Sequence, residues 1–224
     1  KLVSESGAKL GWIPRRAGEK GAVAAGALPN LLPGNRPISD ASARVDIATA
    51  WNADSLPSEL GMSSAEIINS DLQSVLIGGV DPMDISADAK VKLGKKFVVS
   101  LEIRQSDITD IASVVLPVAA VVEKSGSFID WQGSVRNFEA AVDQSLNRSD
   151  VRILSMLADE IGKPINLATV KSARNEFESI GNWDGSRSSM KLIPGNPGKS
   201  ATGDEAVLNS WRNLLDKGSL QDGE

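Results

Sequence analysis

The sequence predicts an α/β fold in which a parallel sheet has helices on both faces and is followed by a helical extension. Short runs rich in Val, Ile and Leu alternate with helical stretches in the first part of the chain, as expected of right-handed βαβ units. Later in the chain, capped amphipathic segments follow one another without strands between them. With 224 residues and 41% hydrophobic content, the chain is long enough to bury a sizeable core.

The candidate strands are short and apolar, as is typical of a parallel sheet that is covered on both faces. They are Ala8 to Ile13, Ser74 to Gly78, Phe97 to Leu101 and Val114 to Leu116. Pro117 lacks an amide proton and therefore marks the end of regular pairing after the last of them.

Helices are predicted between these strands. Ala41 to Trp51 places Val45, Ala48 and Trp51 on one stripe, and this stripe is expected to face the core. The other two candidates are Ala65 to Leu72, opened by Ser64, and Ala87 to Leu93. The stretch from Gly26 to Asp40 is rich in Pro, Gly and Asn and is predicted to be a surface loop.

The second part of the chain is predicted to be helical. Asp150 is the expected N-cap of Val151 to Ile161, and Thr169 that of Val170 to Ile180. In the first of these helices the shared apolar face consists of Ile153, Leu154, Leu157, Ala158 and Ile161. In the second it consists of Ala173, Phe177 and Ile180, and Gly181 is the expected terminator.

These elements suggest four parts. Residues 1–145 form an α/β domain that is expected to be incomplete at its N-terminal side, and residues 146–184 a helical extension packed on it. Residues 185–203, rich in Ser, Gly and Pro, are predicted to be a linker. Residues 204–224 hold a terminal amphipathic helix that is expected to lead into a further domain, so the chain is read as a piece of a longer protein.

Composition excludes several kinds of chemistry. The sequence has no Cys and no His, which removes thiolate nucleophiles, Ser-His pairs, iron-sulfur ligation and ordinary zinc sites. A net charge of −5 gives no electrostatic reason to expect nucleic acid as a partner. No apolar run approaches the roughly 20 residues needed to cross a bilayer, so direct membrane insertion is not expected.

The segment from Ile111 to Phe138 has an unusual order of residue types. An apolar run is followed by charge at Glu123 and Lys124, by flexible Gly126 and Gly133, and by aromatic rings at Phe128 and Trp131. This mixture predicts a shaped loop or hairpin at a ligand or protein-protein surface.

On these residues the sequence resembles the molybdopterin oxidoreductase superfamily. Leu116-Pro117, followed by Glu123-Lys124-Ser125-Gly126-Ser127-Phe128, is similar to a signature block of that superfamily. Within it, the sequence is most similar to the large iron-sulfur subunit of bacterial respiratory complex I, the NADH-quinone oxidoreductase, in its actinobacterial form. The segments that extend this resemblance are Trp12 to Ala22, Gly26 to Gly34, Gly78 to Pro82 and Trp183 to Gly185.

The signature departs from the family pattern at three positions. Ser127 stands where Thr is usual, Asp130 where Asn is usual, and Ser134 where Arg is usual. The missing Arg matters because a loop adapted to phosphate would use its fork of donors.

The resemblance implies a function for the whole subunit, which carries electrons from NADH towards quinone. It implies 4Fe-4S and 2Fe-2S clusters in a part preceding Lys1, with no cofactor and no molybdopterin in this piece. The implied partners are other peripheral-arm subunits of complex I, and the implied location is the cytoplasmic side of the cell membrane, as a peripheral protein. The expected role of this piece is structural, with no catalytic residue and no metal ligand.

The same resemblance points to vestigial cofactor-binding residues. They are Gly78, Gly79, Asp81, Glu123 and Gly126. For the glycine turn the alternative is a tight strand-to-helix connection that begins a helix at Pro82. For Glu123 and Lys124 it is a solvated or ion-paired loop, since neighbours on an extended chain point to opposite faces.

Two further groups of residues have open alternatives. Arg15 and Arg16 could bind an anion or pair with Glu19 or solvent. The rings are interpreted as packing or interface residues rather than as a stacking platform, because the surrounding charge is not basic. They are Phe128, Trp131 and Phe138, and Trp211 is interpreted as a residue that docks the terminal helix.

Three functions from different classes are therefore considered. The first is a structural and interaction domain of a complex I subunit. The second is the pterin-binding half of a molybdopterin-dependent oxidoreductase, and the third is an unrelated nucleotide-binding α/β domain.

Overall fold

A computed structural model describes residues 5–9, 11–14, 17–142 and 146–186 of the chain. These residues divide by packing into two units. The sheet unit comprises residues 62–117 together with 185 and 186, and the split unit comprises the described residues of 1–61 and 118–184. The domain limits predicted at 145, 184 and 203 stay predictions.

The elements are short, and their bounds are as follows. The helices are α1 (Glu19–Ala24), α2 (Ala41–Ala50), α3 (Ser64–Asn69), α4 (Ala89–Leu93), α5 (Asp107–Ile111), α6 (Asp150–Glu160) and α7 (Val170–Ile180). The strands are β1 (Leu31–Leu32), β2 (Arg36–Pro37), β3 (Ser74–Gly78), β4 (Phe97–Glu102), β5 (Val114–Pro117), β6 (Gly126–Ile129) and β7 (Val135–Phe138). Single 3₁₀ turns occupy Pro33–Asn35, Pro82–Asp84 and Val121–Glu123.

The sheet unit contains a parallel sheet in the order β3-β4-β5. Val75 pairs with Val98, and Val99 pairs with Val114. Each of the three strands coincides with a predicted one to within a residue. The α/β class with a parallel sheet is thereby confirmed.

The core of this unit lies on one face of the sheet. Val75 and Val98 are buried there against Ile68 of α3, Leu93 of α4 and Ile108 of α5. Burying each of these side chains contributes about 1.5 to 3 kcal/mol. On the opposite face of the sheet, large apolar side chains remain exposed.

Ion pairs join the helices at the surface of the sheet unit. Lys90 of α4 contacts Asp107 at 2.7 Å and Asp110 at 3.0 Å. The two carboxylates of α5, Asp107 first, raise the pKa of Lys90. Exposed pairs of this kind contribute little stability singly, so they orient α5 rather than hold the unit together.

The split unit is held together by contacts between distant parts of the chain. Leu32, Ile38 and Ile47 are buried together, and Ile180 of α7 packs against them. The strands β6 and β7 form a separate antiparallel hairpin. The predicted hairpin in the signature segment is therefore present as its own two-stranded sheet.

Two glycines of the Gly26 to Gly34 segment have no room for a side chain. Gly26 has φ +86°, and a Cβ there would lie 2.7 Å from the backbone carbon of Leu32. Gly34 has φ +74°, and a Cβ there would lie 2.1 Å from the Gly181 oxygen. Both conformations favour glycine, so any other residue at either position would be strained and would have to displace the neighbouring backbone.

The predicted core stripe of α2 is wrong. Asp40 caps this helix by accepting from the amides of Ser42 and Ala43. Ala43 and Ile47 are its buried residues, whereas Val45 is 63% exposed. The helix carries apolar residues on more than one side, so contact with the rest of the unit selects the buried side.

The predicted strand from Ala8 to Ile13 is wrong for its described residues. None of them is in a strand, and Trp12 and Ile13 are 47% and 71% exposed. A strand needs a hydrogen-bonded neighbour, and β propensity alone does not supply one.

The helices α6 and α7 confirm their predicted positions. The cap of α6 is Ser149 rather than Asp150. Ile153 and Ala158 are buried on it, but Ile161, expected on the same face, is 74% exposed. Thr169 caps α7 as predicted, and Gly181 ends it with φ +61°.

Several predictions lie outside the described residues. They concern Arg15 and Arg16, the linker beyond residue 186, and the amphipathic helix that contains Trp211.

Candidate functional site

The five residues predicted to form a vestigial cofactor site fall in different units. Gly78, Gly79 and Asp81 belong to the sheet unit, whereas Glu123 and Gly126 belong to the split unit. Each group therefore has surroundings of its own.

The glycine turn lies at the carboxyl end of β3. Gly79 has φ +62°, and no atom lies within 4 Å of the Cβ position of this residue. Its amide donates to the Leu101 oxygen at 3.3 Å. Asp81 accepts from the amide of Met83 at 2.9 Å and so caps the 3₁₀ turn that begins at Pro82. The connection between β3 and the 3₁₀ turn thus gives both Gly79 and Asp81 a structural role. The open space beside Gly79 is a feature of this turn that suits a ligand.

Glu123 and its neighbour bind different partners. The Glu123 carboxylate accepts from the Ala120 amide at 2.8 Å and from the Asn147 side chain at 3.3 Å. Lys124 forms an ion pair with Asp150, the first residue of α6. The two side chains thus fasten the signature segment to the region around α6, in keeping with an ion-paired loop.

Gly126 is a packing residue. A Cβ at this position would lie 2.5 Å from Cζ of Phe138, which faces it across the hairpin. The Phe138 ring stacks on Phe128 with their centroids 5.2 Å apart. The Gly126 carbonyl accepts from Arg174 of α7 at 3.1 Å. The ring of Phe138 occupies the space that a cofactor would need close to this backbone.

The turn of the hairpin is organised by Asp130. Its carboxylate accepts from the amides of Gln132 at 3.0 Å and Ser134 at 2.9 Å, and contacts Arg136 at 3.2 Å. The Ser134 amide, with help from the Arg136 guanidinium, lowers the pKa of Asp130. Ser134 therefore stabilises the turn through its backbone amide.

The cations of the signature segment are engaged by carboxylates. Between residues 118 and 142 the cationic side chains are Lys124 and Arg136, which contact Asp150 and Asp130. A pterin phosphate requires donors that are available to it. The residues of the hairpin therefore do not fit that group.

A cleft of about 370 Å³ was not predicted from the sequence. It lies within the split unit and is lined by α1, the hairpin and α7. Ala173, Phe177 and Ile180 line it from α7, which is the stripe that the sequence predicts as the apolar face of this helix. At the exposed edge of the cleft, Trp51 Nε1 donates a hydrogen bond of 3.2 Å to the Glu176 carboxylate. The cleft was missed because α1 was not predicted.

The described residues contain neither a group of carboxylates suited to a metal ion nor a helix suited to cross a membrane. Across residues 5–9, 11–14, 17–142 and 146–186, no group of three or more Asp or Glu side chains is arranged to hold a metal ion. Over the same ranges, no helix has the length and apolar character needed to span a membrane.

Comparison with known proteins identifies the family to which the chain belongs. The model of the molybdopterin oxidoreductase family matches residues 4–160. The chain belongs to the molybdopterin oxidoreductase family. The match includes the glycine turn, the signature segment and α6, so both groups of predicted site residues lie in the family's own domain.

Individual relatives within this family are longer than the chain. It is 42% identical to the G subunit of the NADH-quinone oxidoreductase of Mycobacterium tuberculosis and 43% identical to that of Streptomyces coelicolor, in both cases over 100% of the chain. These alignments cover 29% and 28% of the relatives. The alpha subunit of an F420-dependent formate dehydrogenase from Methanococcus maripaludis is 32% identical over 72% of the chain and 25% of its own length. The chain thus spans less than a third of the relatives it matches, and the actinobacterial resemblance is confirmed.

The ionised form of Asp130 gives a prediction about pH. Because folding lowers its pKa, the charged carboxylate stabilises the folded state above the unfolded pKa of about 3.9, and this contribution is lost as the pH falls through the folded pKa. We expect the native chain to melt at a higher temperature than Asp130→Asn. This difference in melting temperature should be largest near neutral pH and should decrease below about pH 4. Thermal melts of both chains across this range measure the difference. A difference that is constant with pH would contradict the prediction.

Proposed function

We propose that this chain is a non-catalytic structural and interaction part of a complex I subunit. As a whole, that subunit would carry electrons from NADH towards quinone through iron-sulfur clusters outside these 224 residues. The proposal is supported by the two actinobacterial relatives, which are named as subunits of NADH-quinone oxidoreductase. It places the chain on the cytoplasmic side of the cell membrane as a peripheral component, with other peripheral-arm subunits as partners.

One observation carries this proposal, namely the closure of the signature hairpin by its own side chains. Phe138 fills the space beside Gly126, Glu123 caps its own turn, and Asp130 is bonded within the hairpin. Gly126, Glu123 and Asp130 thus each have a structural role within the split unit. Such a segment is suited to hold a surface in shape rather than to carry a reaction.

A second candidate function is the pterin-binding half of a molybdopterin-dependent oxidoreductase. Two observations favour it: the similarity to the alpha subunit of a formate dehydrogenase, and the open space at Gly79 beyond the end of β3. Under this alternative, Gly78, Gly79 and Asp81 would contact the cofactor. Glu123 and Gly126 would keep their packing roles.

Analysis of the purified protein separates the two functions. We expect the 224-residue chain, expressed in cells that make molybdopterin, to contain no molybdenum by elemental analysis. We also expect no pterin fluorescence after oxidation of the denatured protein. Molybdenum or pterin in a one-to-one ratio to the chain would overturn the first proposal and support the second.

The exposed ring of Trp131 leads to a prediction about assembly. This side chain is 57% exposed at the turn of the hairpin, so Trp131→Ala should change the free energy of unfolding by no more than about 0.5 kcal/mol. Buried Trp residues at interfaces often contribute about 2 kcal/mol or more to binding. We therefore expect Trp131→Ala in the intact protein to reduce its recovery with the other peripheral-arm subunits by more than about tenfold.

Glu123→Gln provides the matched variant for this prediction. A Gln oxygen can still accept from the Ala120 amide, so assembly and NADH-quinone activity of the intact complex should stay within about twofold of the native values. The interface role of the hairpin would be contradicted if Trp131→Ala assembled as well as Glu123→Gln.

A further inference from the structure

The cleft of the split unit has the size and the lining of a small-molecule site. Its volume of about 370 Å³ falls in the range of roughly 300 to 1,000 Å³ that is typical of ligand pockets. An apolar cavity of about 150 Å³ is already large enough for benzene. The apolar side chains of the lining come from the end of α1, the hairpin and α7, and they include Ala25, Ile129, Val135, Phe177 and Ile180. The cleft therefore has room for an apolar body that contains at least one aromatic ring.

The charged groups of the lining are two carboxylates, Glu176 and Glu178, and one guanidinium, that of Arg174. Arg174 is directed towards the hairpin, where its Nε donates to Ser127 Oγ at 3.0 Å and its Nη2 to the Gly126 oxygen at 3.1 Å. With 3.6 residues per turn, Glu176 lies about 160° from Arg174 around the axis of α7. Among the described residues, the ion pairs include neither Glu176 nor Glu178. The cleft therefore carries an excess of negative charge.

Trp51 and Glu176 together form a pair of groups that suits a cation. Both line the cleft, and the bond of 3.2 Å from Trp51 Nε1 holds the Glu176 carboxylate at the edge of the indole ring. The indole N–H lies in the plane of the ring, so this bond does not use the ring face, which is the part that attracts cations. A cation at this end of the cleft can therefore contact a carboxylate and an indole face at the same time.

We propose that the cleft binds a small organic ammonium ion with an apolar body. The body packs against Phe177, Ile180 and the hairpin, and the ammonium group lies against Glu176 and the ring of Trp51. A neutral ligand of the same shape lacks the attraction of the carboxylate, and an anion is repelled by it. A peptide with the same charged group binds less well, because its backbone amides would lose hydrogen bonds to water against apolar walls.

Three matched probes test the selection for a cation. They are phenethylammonium, the neutral phenethyl alcohol and the anionic hydrocinnamate, and each carries one phenyl ring on a two-carbon chain. Binding to the full 224-residue chain is measured by NMR titration of the tryptophan indole N–H signals, with the Trp51 signal assigned by Trp51→Phe. We expect phenethylammonium to shift the Trp51 signal with a Kd of about 1 mM, at least about tenfold lower than that of the alcohol, and hydrocinnamate to leave the signal unchanged. Equal affinity for the ammonium and the alcohol, binding of hydrocinnamate, or no binding of the ammonium would overturn the proposal.

Two variants test the role of the carboxylate. Glu176→Gln keeps the shape of the side chain and removes its charge, so the preference for phenethylammonium over the alcohol should fall to within about twofold. Glu160→Gln is the matched control, since Glu160 is an exposed carboxylate at the end of α6, and it should keep the tenfold preference. Circular dichroism of each variant verifies that the chain is folded. An equal preference in the two variants would contradict the assigned cation site.

A peptide probe distinguishes a small ligand from a basic segment of a partner protein. The probe is an acetylated Phe-Lys dipeptide amide, which presents a phenyl ring and an ammonium group on a peptide backbone. We expect it to bind at least about tenfold more weakly than phenethylammonium, because its amides would be desolvated in the cleft. Tighter binding of the peptide than of phenethylammonium would overturn the assignment to a small ligand in favour of a partner's basic segment.

Discussion

Gly34→Ala is expected to lower the free energy of unfolding by about 3 kcal/mol or more. Its φ of +74° alone costs an alanine about 1 kcal/mol, and the added Cβ would lie 2.1 Å from the Gly181 oxygen and 2.3 Å from Arg36 Nη1. Because a backbone oxygen is one of the clashing atoms, a side-chain rotation cannot relieve the overlap. The loop must separate from the end of α7, which also breaks the bond of 2.8 Å from the Trp183 amide to the Gly34 oxygen. Urea unfolding followed by far-UV circular dichroism measures the loss.

Gly162→Ala is the matched control for this change. Gly162 lies in the same unit with φ +71°, and no atom is within 4 Å of its Cβ position. It therefore isolates the conformational cost, about 1 kcal/mol. Equal losses for the two variants would contradict the role of close contact at Gly34.

Arg36→Met is expected to cost on the order of 3 kcal/mol, because hydrogen bonds from a charged donor contribute about 1.5 to 3 kcal/mol each and several are lost. Arg36 is only 7% exposed. Its guanidinium donates to the carbonyl oxygens of Gly181 at 2.9 Å, Ile180 at 3.0 Å and Pro33 at 3.2 Å. It also lies over the ring of Trp183 at 5.6 Å. The methionine would leave the carbonyl oxygens at the end of α7 without these donors.

The contact of Arg36 with Asp46 contributes less than these bonds. The distance is 3.4 Å, and the Asp46 side chain is 48% exposed, so water can replace the guanidinium there. We therefore assign the expected loss mainly to the carbonyl oxygens. Hydrogen exchange should become faster at the C-terminal end of α7 in Arg36→Met, before other parts of the unit are affected.

Two variants control for the Arg36 substitution. Arg152→Met changes an exposed arginine on α6 and should cost no more than about 0.5 kcal/mol. Arg36→Lys should give an intermediate loss, because a single ammonium cannot reproduce the fork of donors that reaches separate carbonyl groups. An unfolding free energy for Arg36→Met equal to that of Arg152→Met would contradict the assigned role.

Elements with their own local determinants were predictable from the sequence. The helix α7 begins at Thr169 and ends at Gly181 as expected, because a side-chain cap and a glycine with positive φ specify its two ends. The strands β3, β4 and β5 are runs of branched apolar residues between polar segments, and their positions were predicted for that reason. The hairpin was likewise anticipated from the glycines and rings of the signature segment.

Short elements and buried faces were less predictable. The helices α1 and α5 have six and five residues, too few to show a period in the sequence. In α2, residues on several sides could have been buried, and only the cluster around Leu32 and Ile38 selects Ile47. The cleft depends on α1 and was missed with it.

The sequence by itself determined the α/β class, the family and the absence of Cys and His chemistry, because each depends on residue types in a local order. Only the tertiary structure decided what the signature residues do. Gly126 looks like a residue for close approach of a ligand, yet what approaches it is the ring of Phe138 from the paired strand. Arg36 and Gly34 showed no chemistry in the sequence, yet they hold the end of α7, which follows them by about 145 residues. Contacts between residues so far apart depend on how the chain returns on itself, and no local pattern records that.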